Sequence, residues 1–236
     1  MRDSRVPLLL FIVASVVQLV AMKNVYGSDM PGLPFATAYE PEPNITVLIT
    51  RVFCLYIPVP FMLFTVSGTV RELSGGYSRL ILIRGCSREQ LFRKKMLKAV
   101  LIVTGMVLFM TALYAIAGNH RYHVTPGQVA DIILIYWLVI IDVVMLGYMI
   151  EFVTKLSGNA VNTAVNVYFV VSLLAPGISH SSIAGYVFFP GMAFAKANDV
   201  YDGICGDTHI MQLAMLAGAV LMCWICIRRY RNADIL

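Results

Sequence analysis

Five groups of side chains in this 236-residue chain have types and spacings that invite chemistry. Leu73-Ser74-Gly75-Gly76-Tyr77 is one residue away from Leu-Ser-Gly-Gly-Gln, a signature loop of nucleotide-hydrolysing domains. Such a loop works only beside a phosphate cradle of the form G-x-x-x-x-G-K-[ST]. No Gly-Lys pair occurs anywhere in the chain, and no stretch is long and polar enough for a soluble α/β domain, so the chain holds no nucleotide. Cys223-Trp224-Ile225-Cys226 spells C-x-x-C but lies in an apolar run without the strand–helix context of a redox motif. His120, His123, His180 and His209, with Cys205 and Asp207, contain metal-ligating types, yet their spacing fits no standard site. Ser67-Gly68 would need a histidine base, and every His falls at the opposite side of the apolar segments. The fifth is Asp142, a single carboxylate inside an apolar run. Its central position costs about 2.5–3.5 kcal/mol on insertion scales, so it faces protein or water. It lines a pathway or interface, or it makes a structural contact to a neighbouring helix.

The elements that position these residues follow from composition. The chain is 59% hydrophobic and 13% charged, with mean hydropathy +0.77. A soluble domain is about 45–50% apolar and about 25% charged, so a polytopic membrane protein is expected. A span needs about 20 apolar helical residues. Six segments qualify, at about 6–22, 47–70, 96–117, 129–152, 160–174 and 210–227. The expected fold is all-α, one transmembrane domain over residues 1–236. Pro58 and Pro60 interrupt the second span and predict a kink. Asn162 and Asn166, at i and i+4 in the fifth, share a face suited to helix–helix hydrogen bonding or to substrate contact.

Counting Lys and Arg by side sets the orientation. With the N-terminus in the cytoplasm, Arg2, Arg5, Arg71, Arg79, Arg84, Arg88, Arg93, Lys94, Lys95, Lys98, Lys155, Arg228, Arg229 and Arg231 lie inside, while Lys23, Arg51, Arg121 and Lys196 lie outside. Both termini are therefore expected in the cytoplasm. The first span reads as a retained helix, since no small-residue cleavage signal follows Met22. The net charge of +5 then reflects anchoring, and no nucleic-acid partner is implied.

The largest cytoplasmic element joins spans two and three. Residues 71–85 place Leu73, Tyr77, Leu80, Ile81 and Ile83 among charges, a pattern for a short interfacial amphipathic helix. Gly85 is placed to stop it. Ser87 with Gln90 three residues later spells a capping box for a helix that runs through Arg93-Lys94-Lys95 into span three. This elbow either receives force from a partner or only fixes topology.

Six spans and this elbow resemble a type-2 ABC transporter permease. The residues that carry the resemblance are Glu72, Gly75, Gly76, Leu80 to Ile83, Gly85-Cys86-Ser87-Arg88 and Lys94-Lys95. It implies a coupling helix in which Glu72, Gly75, Gly76, Arg79, Leu80, Gly85, Ser87 and Arg88 dock on a separate cytoplasmic ATPase subunit that carries ATP and Mg. It also implies a second permease copy or a related permease, no enzymatic activity or cofactor in this chain, and the cell membrane of a prokaryote. The small size is similar to permeases of peptide-antibiotic export or immunity systems. The chain departs from the family in having only Met1–Arg5 before span one and Glu72 alone where paired acids are usual. The resemblance further implies that residues 176–209, with Gly185-Tyr186-Val187-Phe188-Phe189-Pro190, form a re-entrant or interfacial outer hairpin; the alternative is a loop packed on neighbouring helices. The expected cargo is an amphipathic peptide, lipid or drug. The competing readings are a substrate-binding membrane subunit of a vitamin-type importer and an intramembrane enzyme or sensor built on Asp142.

Overall fold

A computed structural model describes residues 5–27, 58, 60–65, 82–117, 125–154, 163–165, 167–168, 193, 200 and 206–232. Four long helices dominate them: α1 (Arg5–Tyr26), α2 (Arg88–Ala117), α3 (Pro126–Thr154) and α4 (Thr208–Asn232). Each is long and apolar enough to cross a membrane. At 1.5 Å per residue, even the 22-residue α1 reaches about 33 Å, against a hydrocarbon core of about 30 Å.

The expected spans at 6–22, 96–117, 129–152 and 210–227 lie within these four helices. The helices are longer because hydropathy ends at the first charges whereas backbone hydrogen bonding does not. α2 begins eight residues before the apolar run, at Arg88. The spans at 47–70 and 160–174 fall largely outside the described residues; 60–65, 163–165 and 167–168 are helical. The expected coupling helix at 71–81 also lies outside them.

Local chemistry sets the helix ends. α1 stops at Gly27, whose φ of +59° is left-handed and strained for a side chain bearing a Cβ. α3 opens with Pro126 in its first turn, where the missing N–H costs nothing. Thr125 and Gln128 close a capping box there: the Thr125 N–H donates to Gln128 Oε1 at 2.8 Å and the Gln128 N–H to Thr125 Oγ1 at 3.4 Å.

Packing makes α3 the central helix. Ile132, Ile135, Tyr136, every residue from Leu138 to Met145, and Tyr148 are buried, so the middle of α3 is enclosed on all sides. α4 packs along it most extensively, with α2 alongside both and α1 against α2. α1 buries one stripe, Phe11, Ala14, Ser15, Gln18 and Met22, and Phe11 meets Phe109 of α2 with ring centroids 5.9 Å apart. Trp137 of α3 donates its indole N–H to Thr104 Oγ1 of α2 at 2.9 Å. The outward faces are apolar too: Leu97, Leu101 and Leu108 on α2, and Leu213, Val220 and Leu221 on α4, are each more than half exposed. An apolar core inside an apolar exterior suits hydrocarbon as the solvent.

Gly147 of α3 lets the 163–165 segment approach, because a Cβ there would sit 3.3 Å from Val165 Cγ2. Gly147→Ala should be nearly neutral, since the gain in helix propensity of about 1 kcal/mol offsets the tight contact. Gly147→Leu should lower stability by about 1–3 kcal/mol through overpacking. Thermal unfolding in detergent micelles measures both.

Candidate functional site

The elbow occupies the start of α2. The Gly85 N–H donates to Leu82 O at 3.0 Å, and Gly85 has φ +88°, so the chain reverses where only glycine is unstrained. Ser87 and Gln90 then close the expected capping box in both directions. The Gln90 N–H donates to Ser87 Oγ at 3.2 Å, and the Ser87 N–H donates to Gln90 Oε1 at 3.3 Å. Arg93 pairs with Glu89 one turn away; Arg93 is exposed and Glu89 half-exposed, so the pair contributes little. Cys86 is a half-buried free thiol in the turn.

Phe92, fully buried, fastens this elbow to the rest of the bundle. Its ring meets Tyr148 of α3 edge-on at 5.7 Å and Tyr230 of α4 at 5.9 Å. Aromatic pairs in these geometries add about 0.5–1.5 kcal/mol beyond burial. Beside them Arg88 donates from Nη1 to the carbonyl of Arg231 at 3.2 Å. The start of α2, the later turns of α3 and the end of α4 therefore meet in one knot. Gly85, Ser87 and Arg88 are together in it. Glu72, Gly75, Gly76, Arg79 and Leu80 lie outside the described residues.

Sequence reasoning missed Tyr148 and Tyr230. The available signal was their placement where apolar runs give way to charge, as with Tyr230 between Arg229 and Arg231. Charge is strongly asymmetric along the bundle. Arg84, Arg88, Arg93, Lys94, Lys95, Lys98, Arg228, Arg229 and Arg231 all lie toward the knot. At the opposite ends of α2, α3 and α4 the described residues include Asp131, Asp207 and His209 and no Lys or Arg.

Those opposite ends carry a polar latch. Gln212 of α4 donates from Nε2 to the backbone O of Asp131 at 3.3 Å and to its Oδ1 at 3.2 Å. His209 Nδ1 lies 3.3 Å from Gln212 Oε1 and 3.8 Å from Asp131 Oδ1. Gln128 Nε2 donates to the Val200 carbonyl at 3.2 Å. Asp131 and Gln212 went unnoticed in the sequence. His209 and Asp207 were weighed as metal ligands, and among the described residues no three His, Cys, Asp or Glu side chains gather to hold an ion. His120, His123, His180 and Cys205 lie outside the described residues.

Between knot and latch sits Asp142. It is 2% exposed, so its carboxyl faces protein rather than lipid. Neither oxygen has a hydrogen-bond partner among the described residues. Asn162 and Asn166 lie outside the described residues. Cys223 and Cys226 are both free thiols on α4.

The capping box and the knot separate in experiment. Ser87→Ala should cost about 1 kcal/mol and speed amide hydrogen exchange at residues 88–91 alone. Phe92→Ala should cost about 3–5 kcal/mol and loosen the ends of α3 and α4 together, read as faster exchange around Tyr148 and Tyr230.

No curated protein and no solved structure matches the chain. Residues 10–236 match the family described as "Protein of unknown function (DUF2705)", and the chain belongs to that family.

Proposed function

We propose that this chain is the membrane-spanning subunit of an ATP-driven transporter of the ABC type. In this reading six helices cross the cell membrane of a prokaryote, and the basic end faces the cytoplasm, as the distribution of Lys and Arg favours. The elbow from Glu72 to Arg88 docks on a separate ATPase subunit, which holds ATP and Mg. A second permease copy completes the pathway. The chain itself makes and breaks no bond.

One observation carries this reading. The capped elbow is not a loose loop: Phe92 and Arg88 fix it to α3 and α4. A displacement imposed at Gly85–Arg88 is passed to three helices, because packed cores respond by shifting whole elements rather than by deforming continuously. A linker that only set topology would have no need of such an attachment. Few charges line the described helices away from the basic end, which favours an amphipathic peptide, lipid or drug as cargo.

The test is chemical crosslinking at the turn. In a chain with Cys54, Cys205, Cys223 and Cys226 replaced by Ser, a short bifunctional thiol reagent at Cys86 should capture a cytoplasmic protein with ATPase activity. Arg88→Glu should reduce that capture by about tenfold or more, as for loss of a charged interfacial contact. A chain that purifies from its native membranes with no ATPase, its Cys86 uncaptured, contradicts the reading.

A further inference from the structure

The outward stripe of α4 changes character along its length. Leu213, Val220, Leu221 and Trp224 are all more than half exposed and follow one another at helical spacing on a single face. The next positions on that face are Arg228 and Arg231, both exposed. Arg228 lies one turn beyond Trp224, with its guanidinium carbon 4.4 Å from the centre of the indole ring. Arg231 lies about 10 Å beyond Trp224 along the axis.

An indole at the end of a lipid-facing stripe marks the level where hydrocarbon meets head groups. The Arg228 guanidinium sits over that ring, a cation–π contact at the level of the interface. A guanidinium carries N–H donors in a planar fork, and a contact through a ring leaves donors for a further partner. That fork matches two oxygens of a phosphate. The backbone of Arg231 is anchored by the Arg88 guanidinium at 3.2 Å, which holds the end of α4 in place. α4 has no Asp or Glu among its 25 residues, so an anion for this face must come from outside the helix.

We infer that Arg228 and Arg231, below Trp224 on the lipid-facing stripe of α4, form a head-group site for an anionic phospholipid. The acyl chains lie along Leu213, Val220 and Leu221, and the phosphate is held between the two guanidinium groups. The site stands on the outward face of α4, and it does not depend on what docks at the elbow.

Trp224 reports on the site directly. The chain has two tryptophans, so Trp137→Phe leaves Trp224 as the only indole, which is excited selectively at the red edge of the absorption band. This chain is placed in phosphatidylcholine vesicles containing equal mole fractions of either phosphatidylglycerol or phosphatidylcholine with brominated acyl chains, which quench indole on contact. The anionic lipid should be preferred at Trp224 by about thirtyfold, the order expected for two basic groups near a membrane surface. R228Q/R231Q should bring the two lipids to equal quenching, while R228K/R231K retains part of the preference. If the double Gln variant does not insert, raising salt to about 0.5 M on the parent chain should remove most of the preference through screening. Equal quenching by the two lipids in the parent chain, or a preference that survives both R228Q/R231Q and salt, overturns the site. Competition by soluble glycerol phosphate would show a free-phosphate site and overturn the lipid assignment.

Discussion

A hydrocarbon layer about 30 Å thick excludes charge and demands that every backbone polar group find its partner within the protein. The rest of this structure depends on that constraint. It makes the described chain helical, drives α3 into the middle, and lets α1, α2 and α4 turn leucine and valine outward. It also sends Arg88, Lys94, Arg228 and their neighbours to one end, since a Lys or Arg at mid-membrane costs about 2.5–3.5 kcal/mol. Asp142, a carboxylate that stays mid-helix, is enclosed by protein.

Within that frame, α3 is held at two levels. At one end Tyr148 joins Phe92 and Tyr230; at the other, Asp131 accepts from Gln212. The two levels are about 26 Å apart along the helix, with the Trp137–Thr104 hydrogen bond between them. Helix association in membranes relies on close packing and a few interhelical hydrogen bonds rather than on hydrophobic exclusion. Three such fastenings on one helix make α2, α3 and α4 a mechanical unit. The elbow is rigid for the same reason: a left-handed Gly85, a closed capping box and a buried Phe92 follow within eight residues. Asp142 lies inside the unit, where a change in the register of neighbouring helices alters its surroundings.

Much of this was legible before any coordinates. Apolar length alone located the four long helices, because a hydrocarbon solvent imposes a single simple requirement on sequence. The Ser87–Gln90 box and the turn at Gly85 were legible because caps are local, settled by residues three or four apart. Thr125-Pro126-Gly127-Gln128 carries the same code and could have been read in the same way. The aromatic knot was not legible, since Phe92, Tyr148 and Tyr230 come from three distant segments and nothing in their own surroundings names their partners. The place of His209 was equally closed to sequence reading, since tertiary packing sets it beside Gln212 and Asp131. Hydropathy alone does not register the start of α2 at Arg88, but the Ser87–Gln90 box does, because it names the first turn of the hydrogen-bond ladder that runs on into span three.

The central claim is that the knotted, basic end of the bundle faces the cytoplasm, where a soluble partner can reach the elbow. Membrane-impermeant maleimide applied to intact cells tests it most directly, with two single-cysteine chains, one keeping Cys86 and the other carrying Gly206→Cys at the latch end. The account predicts that position 206 is labelled from outside, while Cys86 reacts only after the membrane is opened. Labelling of Cys86 in intact cells, with position 206 protected, would contradict it.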